Sequence, residues 1–164
     1  MIQMSEFEKK VKNLSDTELI NEMTSLFQRE KELGDTILLG LKELKQRRVF
    51  AAMGYPSLFE FLNKYFKLSE SSCYQRVQAL KLIESVDEAQ ENLLKGEVSL
   101  SNLASAQTLI NQVEKATHRP VTAEAKKALL ETIKGKSTRE AKAALAKSEL
   151  AKQNPTAILP ATKE

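Results

Sequence analysis

Apolar side chains recur every three or four residues along most of the chain, which is the spacing of one face of an α-helix. The stripes with this spacing contain Ile20, Met23 and Phe27, then Leu33, Ile37, Leu41 and Leu44, then Leu103, Ala106, Ile110 and Val113, and finally Ala125, Leu129, Leu130 and Ile133. Residues that can cap helices precede the stripes, and Gly54, Gly96 and Gly135 follow three of the predicted helices. No segment alternates apolar and polar residues as a half-buried strand does. The pattern therefore predicts an all-α, multi-helix domain.

The central part of the chain, residues 54–100, predicts two helices joined by a tight turn. Proline at position 56 favours an extended residue before it, so Ser57 is the expected N-cap of the first helix. The apolar face of that helix contains Leu58, Phe59, Phe61, Leu62 and Phe66. Ser69 is the expected cap of the second helix, in which Cys73, Val77 and Leu80 share one face. This arrangement is typical of a helix-turn-helix, and it is also compatible with an antiparallel hairpin whose polar face is solvated.

The polar face of the second helix has the chemistry of a base-reading surface. Serine and glutamine can bond to base edges, and glutamine can pair with adenine through two hydrogen bonds. Lysine and arginine neutralise phosphates, and the amides at a capped helix start can bind a phosphate as well. The sequence therefore predicts an interface for double-stranded DNA. In this interface Ser71, Ser72, Gln75 and Gln78 face bases, Lys64, Lys67, Arg76 and Lys81 meet phosphates, and Ser69 caps the helix.

Charge is distributed unevenly along the chain, although the net charge is only +3. Residues 1–53 contain nine basic and nine acidic groups, residues 54–114 contain five and eight, and residues 115–164 contain eleven and five. The predicted interface therefore lies in the most acidic segment. Because phosphate neutralisation dominates DNA affinity, we expect a monomer to bind weakly and to lose affinity as salt rises. A homodimer would double the contacts and read symmetric half-sites.

The capping-box residues Ser15 and Glu18 predict the start of a helix. Within this helix, positions 20, 23, 27, 30, 34, 37, 41 and 44 have the spacing of a heptad repeat. Glu30 and Gly34 weaken the middle of the heptad seam. One interpretation is a single long helix that dimerises as a coiled coil. A second is two helices folded back on each other, and a third is that the stripe packs as core against later helices. The predicted divisions are amino-terminal helices with a candidate dimerisation element (1–53), a helix-turn-helix-containing domain (54–153) and a flexible tail or linker (154–164).

Few residues of the chain have the chemistry of catalysis or metal binding. His118 and Cys73 are the only histidine and cysteine, and they are far apart in sequence, so neither a zinc site nor a catalytic dyad is expected. Cys73 falls on an apolar helix face, which predicts a small buried residue. Neither a phosphate-binding loop nor a dinucleotide fingerprint is present. We expect no enzyme activity, no metal, no cofactor and no small-molecule substrate.

No apolar run in the sequence is long enough to span a membrane. The first ten residues, MIQMSEFEKK, contain no apolar signal core. The expected location is therefore the cytoplasm, without membrane contact.

Residues 67–110 resemble the helix-turn-helix region of ParB-type partition proteins. The resemblance rests on Ser69 as the cap, on Leu80, Lys81 and Leu82 at the helix exit, and on the turn GEVS at residues 96–99. It implies that the helix after Ser69 is a recognition helix. The nucleotide-binding part of that family has no counterpart in this sequence, so CTP chemistry is not implied.

A larger region, roughly residues 13–150, resembles the helical amino-terminal region of bacterial HNH endonuclease-like proteins. The segments GYPSLFEF (54–61) and GKSTREA (135–141) are among those that carry the resemblance. In that family a helical module of this kind precedes a carboxy-terminal HNH nuclease domain, which would lie beyond residue 164 here. The resemblance therefore implies a DNA-targeting module and no nuclease activity for these residues. The alternative function is a protein-interaction or dimerisation scaffold that does not bind DNA.

Overall fold

The computed structural model describes the backbone of residues 4–154 and the side chains of residues 6–154. Within this part of the chain the fold is all-α, as predicted, and no strand is present. The helices are α1 (Met4–Lys12), α2 (Asp16–Gln46), α3 (Val49–Ala52), α4 (Leu58–Lys64), α5 (Glu70–Ser85), α6 (Asp87–Leu94), α7 (Leu100–Thr117), α8 (Ala123–Ile133) and α9 (Thr138–Ala146), and a 3₁₀ turn follows at Ala151–Gln153. The tail predicted at residues 154–164 lies outside the described residues, except for Asn154, which is buried.

Contacts within the chain define two units, residues 1–40 and residues 41–164. The boundary lies inside α2, earlier than the predicted end of the amino-terminal segment at residue 53. The last turns of α2 therefore belong to the second unit. They are tied to it by an ion pair of 2.5 Å between Lys45 and Glu84 and by a hydrogen bond of 2.8 Å from Lys42 to Gln90.

α2 is one continuous helix of 31 residues, so the interpretation as two folded-back helices is wrong. The helix begins where the capping box predicted. The amide of Glu18 donates to Ser15 Oγ at 3.3 Å, and the amide of Ser15 donates to Glu18 Oε2 at 2.8 Å. In the first unit, an ion pair of 2.8 Å between Lys10 and Glu22 joins α1 to α2.

The amino-terminal part of the heptad stripe on α2 is not packed as core. Ile20 is 66% exposed and Phe27 is 63% exposed, and Met23 and Ile37 are exposed as well. The interpretation of the stripe as core is therefore wrong for these four side chains. α2 is therefore a single long helix whose stripe is uncovered in its amino-terminal part, whereas Leu41, further along the stripe, is buried as the core interpretation predicted.

The core of the second unit is centred on α5 and α7, which pack along each other. α4 and α6 also pack on α5, while α8, α9 and the 3₁₀ turn pack on α7. The side chains that are fully inaccessible to solvent include Leu80, Leu82, Leu103, Ala106, Ile110 and Ile133. Three helices therefore contact α5, and its exposed residues are Glu70, Ser71, Tyr74, Lys81, Glu84 and Ser85.

Side-chain caps begin the later helices. Ser99 Oγ accepts a hydrogen bond from the amide of Asn102 at 3.1 Å, and Thr122 caps α8 in the same way. At α9, Ser137 and Glu140 form a reciprocal capping box. These caps satisfy amides that have no partner inside a helix, and they fix where each helix begins.

None of the described helices is both long enough and apolar enough to cross a lipid bilayer.

Candidate nucleic-acid interface

α4 is a short helix whose start is fixed by Ser57. The amide of Glu60 donates to Ser57 Oγ at 3.1 Å, which confirms the predicted cap. The side chains that α4 buries are Leu58, Phe61 and Leu62. Phe66, which was predicted on the same apolar face, is instead 49% exposed. The helix ends at Lys64, so helical spacing no longer determines the direction of residue 66.

Residues 65–69 form the turn between α4 and α5. Asn63 Nδ2 donates to the carbonyl of Leu68 at 2.9 Å, and the amide of Leu68 donates to the carbonyl of Leu62 at 3.3 Å. Lys67 lies within this turn at a φ of 59°, in the left-handed region that non-glycine residues rarely adopt. Its side chain is exposed. The turn therefore places a lysine on the surface immediately before α5.

Ser69 caps α5, as predicted. The amide of Ser72 donates to Ser69 Oγ at 3.1 Å, and Ser69 itself has the extended backbone of an N-cap residue. Ser69, Glu70 and Ser71 are all exposed. The start of α5 is therefore open to solvent, and the Glu70 carboxylate lies in sequence between the hydroxyls of Ser69 and Ser71.

The inward face of α5 is close to the predicted one. Cys73 and Leu80 are inaccessible to solvent, as predicted, whereas Val77 is half-buried. The Sγ atom of Cys73 lies 3.7 Å from the carbonyl oxygen of Leu68, and burial raises the pKa of the Cys73 thiol. Cys73 is therefore a small buried residue that favours its protonated form.

Gln78 is not on the solvent-facing side of α5, so the prediction that it is free to face bases is wrong. Its side chain is 6% exposed, and its Oε1 accepts a hydrogen bond of 2.7 Å from Nδ2 of Asn111. The physical reason is that α7 covers this side of the second half of α5. Periodicity alone assigned the uncharged glutamine to the surface, although α7 offers it a buried amide partner.

Ser71 and Gln75 line a groove of about 410 Å³ between α5, α7 and α9. Several small residues of α7 line this groove, and Lys142 and Leu145 belong to its α9 side. Gln75 is half-buried there. A convex helix face enters a DNA groove more readily than a recessed one, so the surroundings of Gln75 do not favour base reading.

Ser72 and Arg76 contact each other on another side of α5. Arg76 Nη1 donates to the carbonyl oxygen of Ser72 at 3.2 Å and also bonds to its hydroxyl. Both side chains are half-buried. Arg76 is therefore partly engaged within its own helix.

The remaining predicted phosphate contacts are exposed but differ in their partners. Lys64 forms an ion pair of 2.8 Å with Glu60, and this carboxylate raises the pKa of Lys64. Lys67 and Lys81 are exposed and form no ion pair with the described side chains. Of the predicted set, the structure brings Lys64, Lys67, Ser69 and Ser71 to the turn and the first turn of α5.

The sequence did not identify two features beside this surface. Lys142 reaches the groove from α9, and the hydroxyl of Tyr74 lies 2.8 Å from Thr108 Oγ1 on α7. Each feature brings together residues that are more than thirty positions apart in sequence, so helical spacing within one segment could not reveal it. The exposed basic residues of α9 were visible in the composition, but their position beside α5 was not.

Among the described residues, no group of three or more histidine, cysteine, aspartate or glutamate side chains can hold a metal ion. His118 follows the last residue of α7; its backbone is left-handed and its side chain is exposed.

Comparison with models of protein families, with curated proteins and with solved structures finds no match for this chain.

Proposed function

We propose that this chain is a non-catalytic helical DNA-binding module, which contacts DNA through the start of α5 and the turn before it. The observation that supports this proposal is the exposure of Lys67, Ser69 and Ser71 at the amino-terminal end of α5. Recognition helices of helix-turn-helix proteins contact bases mainly with their amino-terminal residues. The resemblance to the ParB-type and HNH endonuclease-like families supports the same function.

Phosphate contacts supply most of the affinity in this proposal. Lys64 precedes the turn, Lys67 lies within it, and Lys81 is exposed further along α5. The amides of the first turn of α5 also favour an anion. The exposed carboxylate of Glu70 opposes this attraction. We therefore expect weak binding by one copy, with an affinity that falls steeply as salt rises.

Base reading has a small part in this proposal. Gln78 is bonded to Asn111, and Gln75 is recessed, so Ser71 is the predicted base contact with the most open surroundings. One serine distinguishes bases poorly because a hydroxyl can donate to or accept from any of them. We therefore expect the module to prefer duplex DNA with little selection of its sequence.

The experiment is a titration of fluorescently labelled random duplex DNA with the full chain at two salt concentrations. We expect binding at micromolar protein in low salt and a loss of at least tenfold in affinity at moderate salt. Lys67→Ala should reduce the slope of log affinity against log salt by about one, because it removes one phosphate contact. Absence of salt-sensitive binding by the wild-type chain at micromolar concentration would contradict the proposal.

A second candidate function is a protein-interaction scaffold, and a specific observation favours it. α2 carries an uncovered apolar stripe in which Ile20 and Phe27 are the most exposed members. Such a stripe is typical of a helix that pairs with another helix. A chain that self-associates but shows no affinity for DNA would support this function over DNA binding.

A further inference from the structure

The proposed DNA contacts do not use the apolar stripe on α2, which is exposed. Its exposed members all lie in the first unit. Ile20, Met23, Phe27 and Ile37 have the heptad spacing, and Leu33 is next to the heptad position of Gly34. Single exposed apolar side chains are ordinary on protein surfaces. A series of them with heptad spacing on one long helix is instead typical of a helix–helix interface.

We propose that two copies of this chain associate through α2, with the two helices antiparallel. The heptad positions from 20 to 37 form three pairs, and in each pair the two residues are equally distant in sequence from a point between residues 28 and 29. The pairs are Ile20 with Ile37, Met23 with Gly34, and Phe27 with Glu30. Antiparallel helices aligned on this point place each residue opposite the other member of its pair in the second copy. A two-fold symmetric dimer requires this kind of self-complementary surface, which makes a second copy the occupant that fits.

Gly34 supports the antiparallel alignment. A β-carbon placed at Gly34 would meet no atom within 4 Å, so the space beside this residue is open in one copy. In the antiparallel pair, Met23 of the second copy lies opposite this space. Methionine is flexible and fills irregular gaps well, so the long Met23 side chain complements the smallest residue of the seam.

Glu30 disfavours the parallel alignment. Parallel helices in register would place Glu30 opposite Glu30 and Gly34 opposite Gly34, which combines repulsion between like charges with an unfilled space. In the antiparallel pair Glu30 lies opposite Phe27 of the second copy. Because Glu30 is exposed, its carboxylate can remain in water at the edge of the seam while its methylene groups contact the ring.

This self-association does not depend on DNA binding. It would bring two copies of the α5 surface into one particle and so double the number of phosphate contacts. The proposal is tested without DNA, so a failure of self-association and a failure of DNA binding are separate results.

The first test is sedimentation equilibrium of the full chain at micromolar to submillimolar concentrations. A monomer has a mass of 18.4 kDa, and we expect the wild-type chain to approach twice this value as its concentration rises. Phe27→Glu should remain monomeric throughout, because it adds a charge to the seam. Ser25→Glu adds the same charge to an exposed position on the opposite side of α2, and it should associate like the wild type. Circular dichroism checks that both variants keep their helical content.

The second test fixes the orientation by disulfide formation between Ile20→Cys and Ile37→Cys variants. These positions are about 25 Å apart along one helix, so a cross-link reports which ends meet. We expect oxidation to link the two variants when they are mixed, and to link neither variant when it is alone. The native Cys73 is buried and does not compete.

Three outcomes would overturn the proposal. The first is a wild-type chain that stays monomeric over the whole concentration range. The second is a dimer that Phe27→Glu leaves intact. The third is cross-linking of each cysteine variant with itself, which would show a parallel pair.

Discussion

The Oε1 atom of Gln78 on α5 accepts a hydrogen bond of 2.7 Å from Nδ2 of Asn111 on α7. Asn111 Oδ1 in turn accepts a bond of 2.9 Å from Nε2 of Gln107. Gln78 and Gln107 are both buried. The three side chains therefore form a chain of carboxamides within a mainly apolar interface, and its geometry favours one register of α5 on α7.

We expect Gln78→Ala to lower the free energy of unfolding by about 1–3 kcal/mol, because it leaves the Asn111 amide without its partner. Urea denaturation followed by circular dichroism measures this change. The control is Gln75→Ala, which removes the same side chain from an open groove and should have a smaller effect on stability. DNA affinity of Gln78→Ala under conditions where it is fully folded should equal that of the wild type. A selective loss of DNA affinity would instead show that Gln78 leaves the interface to reach a base.

Ser69 can be changed so that stability and DNA binding respond differently. Ser69→Ala removes the cap of α5 and should lower the free energy of unfolding by about 1 kcal/mol. Ser69→Asp preserves a capping oxygen, so its stability should stay close to that of the wild type. Its added negative charge should nevertheless weaken DNA binding if phosphates approach the start of α5.

Thermal unfolding and the DNA titration together check this pair of variants. Equal DNA affinity of Ser69→Asp and the wild type would place the DNA contacts elsewhere on the chain. A large loss of stability in Ser69→Asp would show that the carboxylate does not replace the serine cap.

The sequence was sufficient to predict the helices whose signals are local. The capping pair Ser15 and Glu18, the cap Ser69 and the buried Cys73 all depend on residues within one or two helical turns. Their physical determinants are hydrogen bonds to the first amides of a helix and the apolar spacing within that helix. These determinants can be read without knowing which helices become neighbours.

The candidate interface was less predictable because its exposure depends on contacts between distant helices. Gln78 has a polar side chain, and only the position of Asn111 on α7 makes its burial favourable. Conversely, Phe27 is apolar but 63% exposed, because no side chain among residues 6–154 covers it. Polarity predicts the average preference of a residue, whereas packing between segments decides each individual case.

Lys64 and Lys95 provide a matched test of the DNA surface. Each is an exposed lysine near the end of a short helix and forms an ion pair with a glutamate four residues earlier, at 2.8 Å for Lys64 and 2.6 Å for Lys95. Each glutamate raises the pKa of its lysine. The two substitutions to alanine therefore remove the same charge and the same kind of ion pair, but only Lys64 lies beside the turn before α5.

We expect Lys64→Ala to weaken DNA binding several-fold at low salt and to reduce the slope of log affinity against log salt by about one. Lys95→Ala should change the affinity much less. Fluorescence anisotropy titrations at three or more salt concentrations measure both values. Equal effects of the two substitutions would indicate that net charge, and not this surface, determines the binding.

The capping boxes of α2 and α9 make stability depend on pH in a predictable direction. The backbone amide of Ser15 donates to Glu18 and that of Ser137 donates to Glu140, and these bonds lower the pKa of both carboxyl groups from their ordinary value of 4.5. A lowered pKa in the folded state means that the ionised carboxylate stabilises the fold. This contribution is complete above the ordinary pKa and is lost as the pH falls through the lowered one.

We therefore expect Glu140→Gln to be less stable than the wild type near about pH 6, and the difference to shrink as the pH falls towards about 3. Urea denaturation at several pH values measures this difference. The control is Glu124→Gln, which removes an acid from the first turn of α8, where Thr122 is the cap. Because a glutamate in the first turn also interacts with the helix dipole, this control separates the dipole from the capping bond. A stability difference for Glu140→Gln that grows in acid would contradict the assignment, since it would require the protonated carboxyl to be the stabilising form.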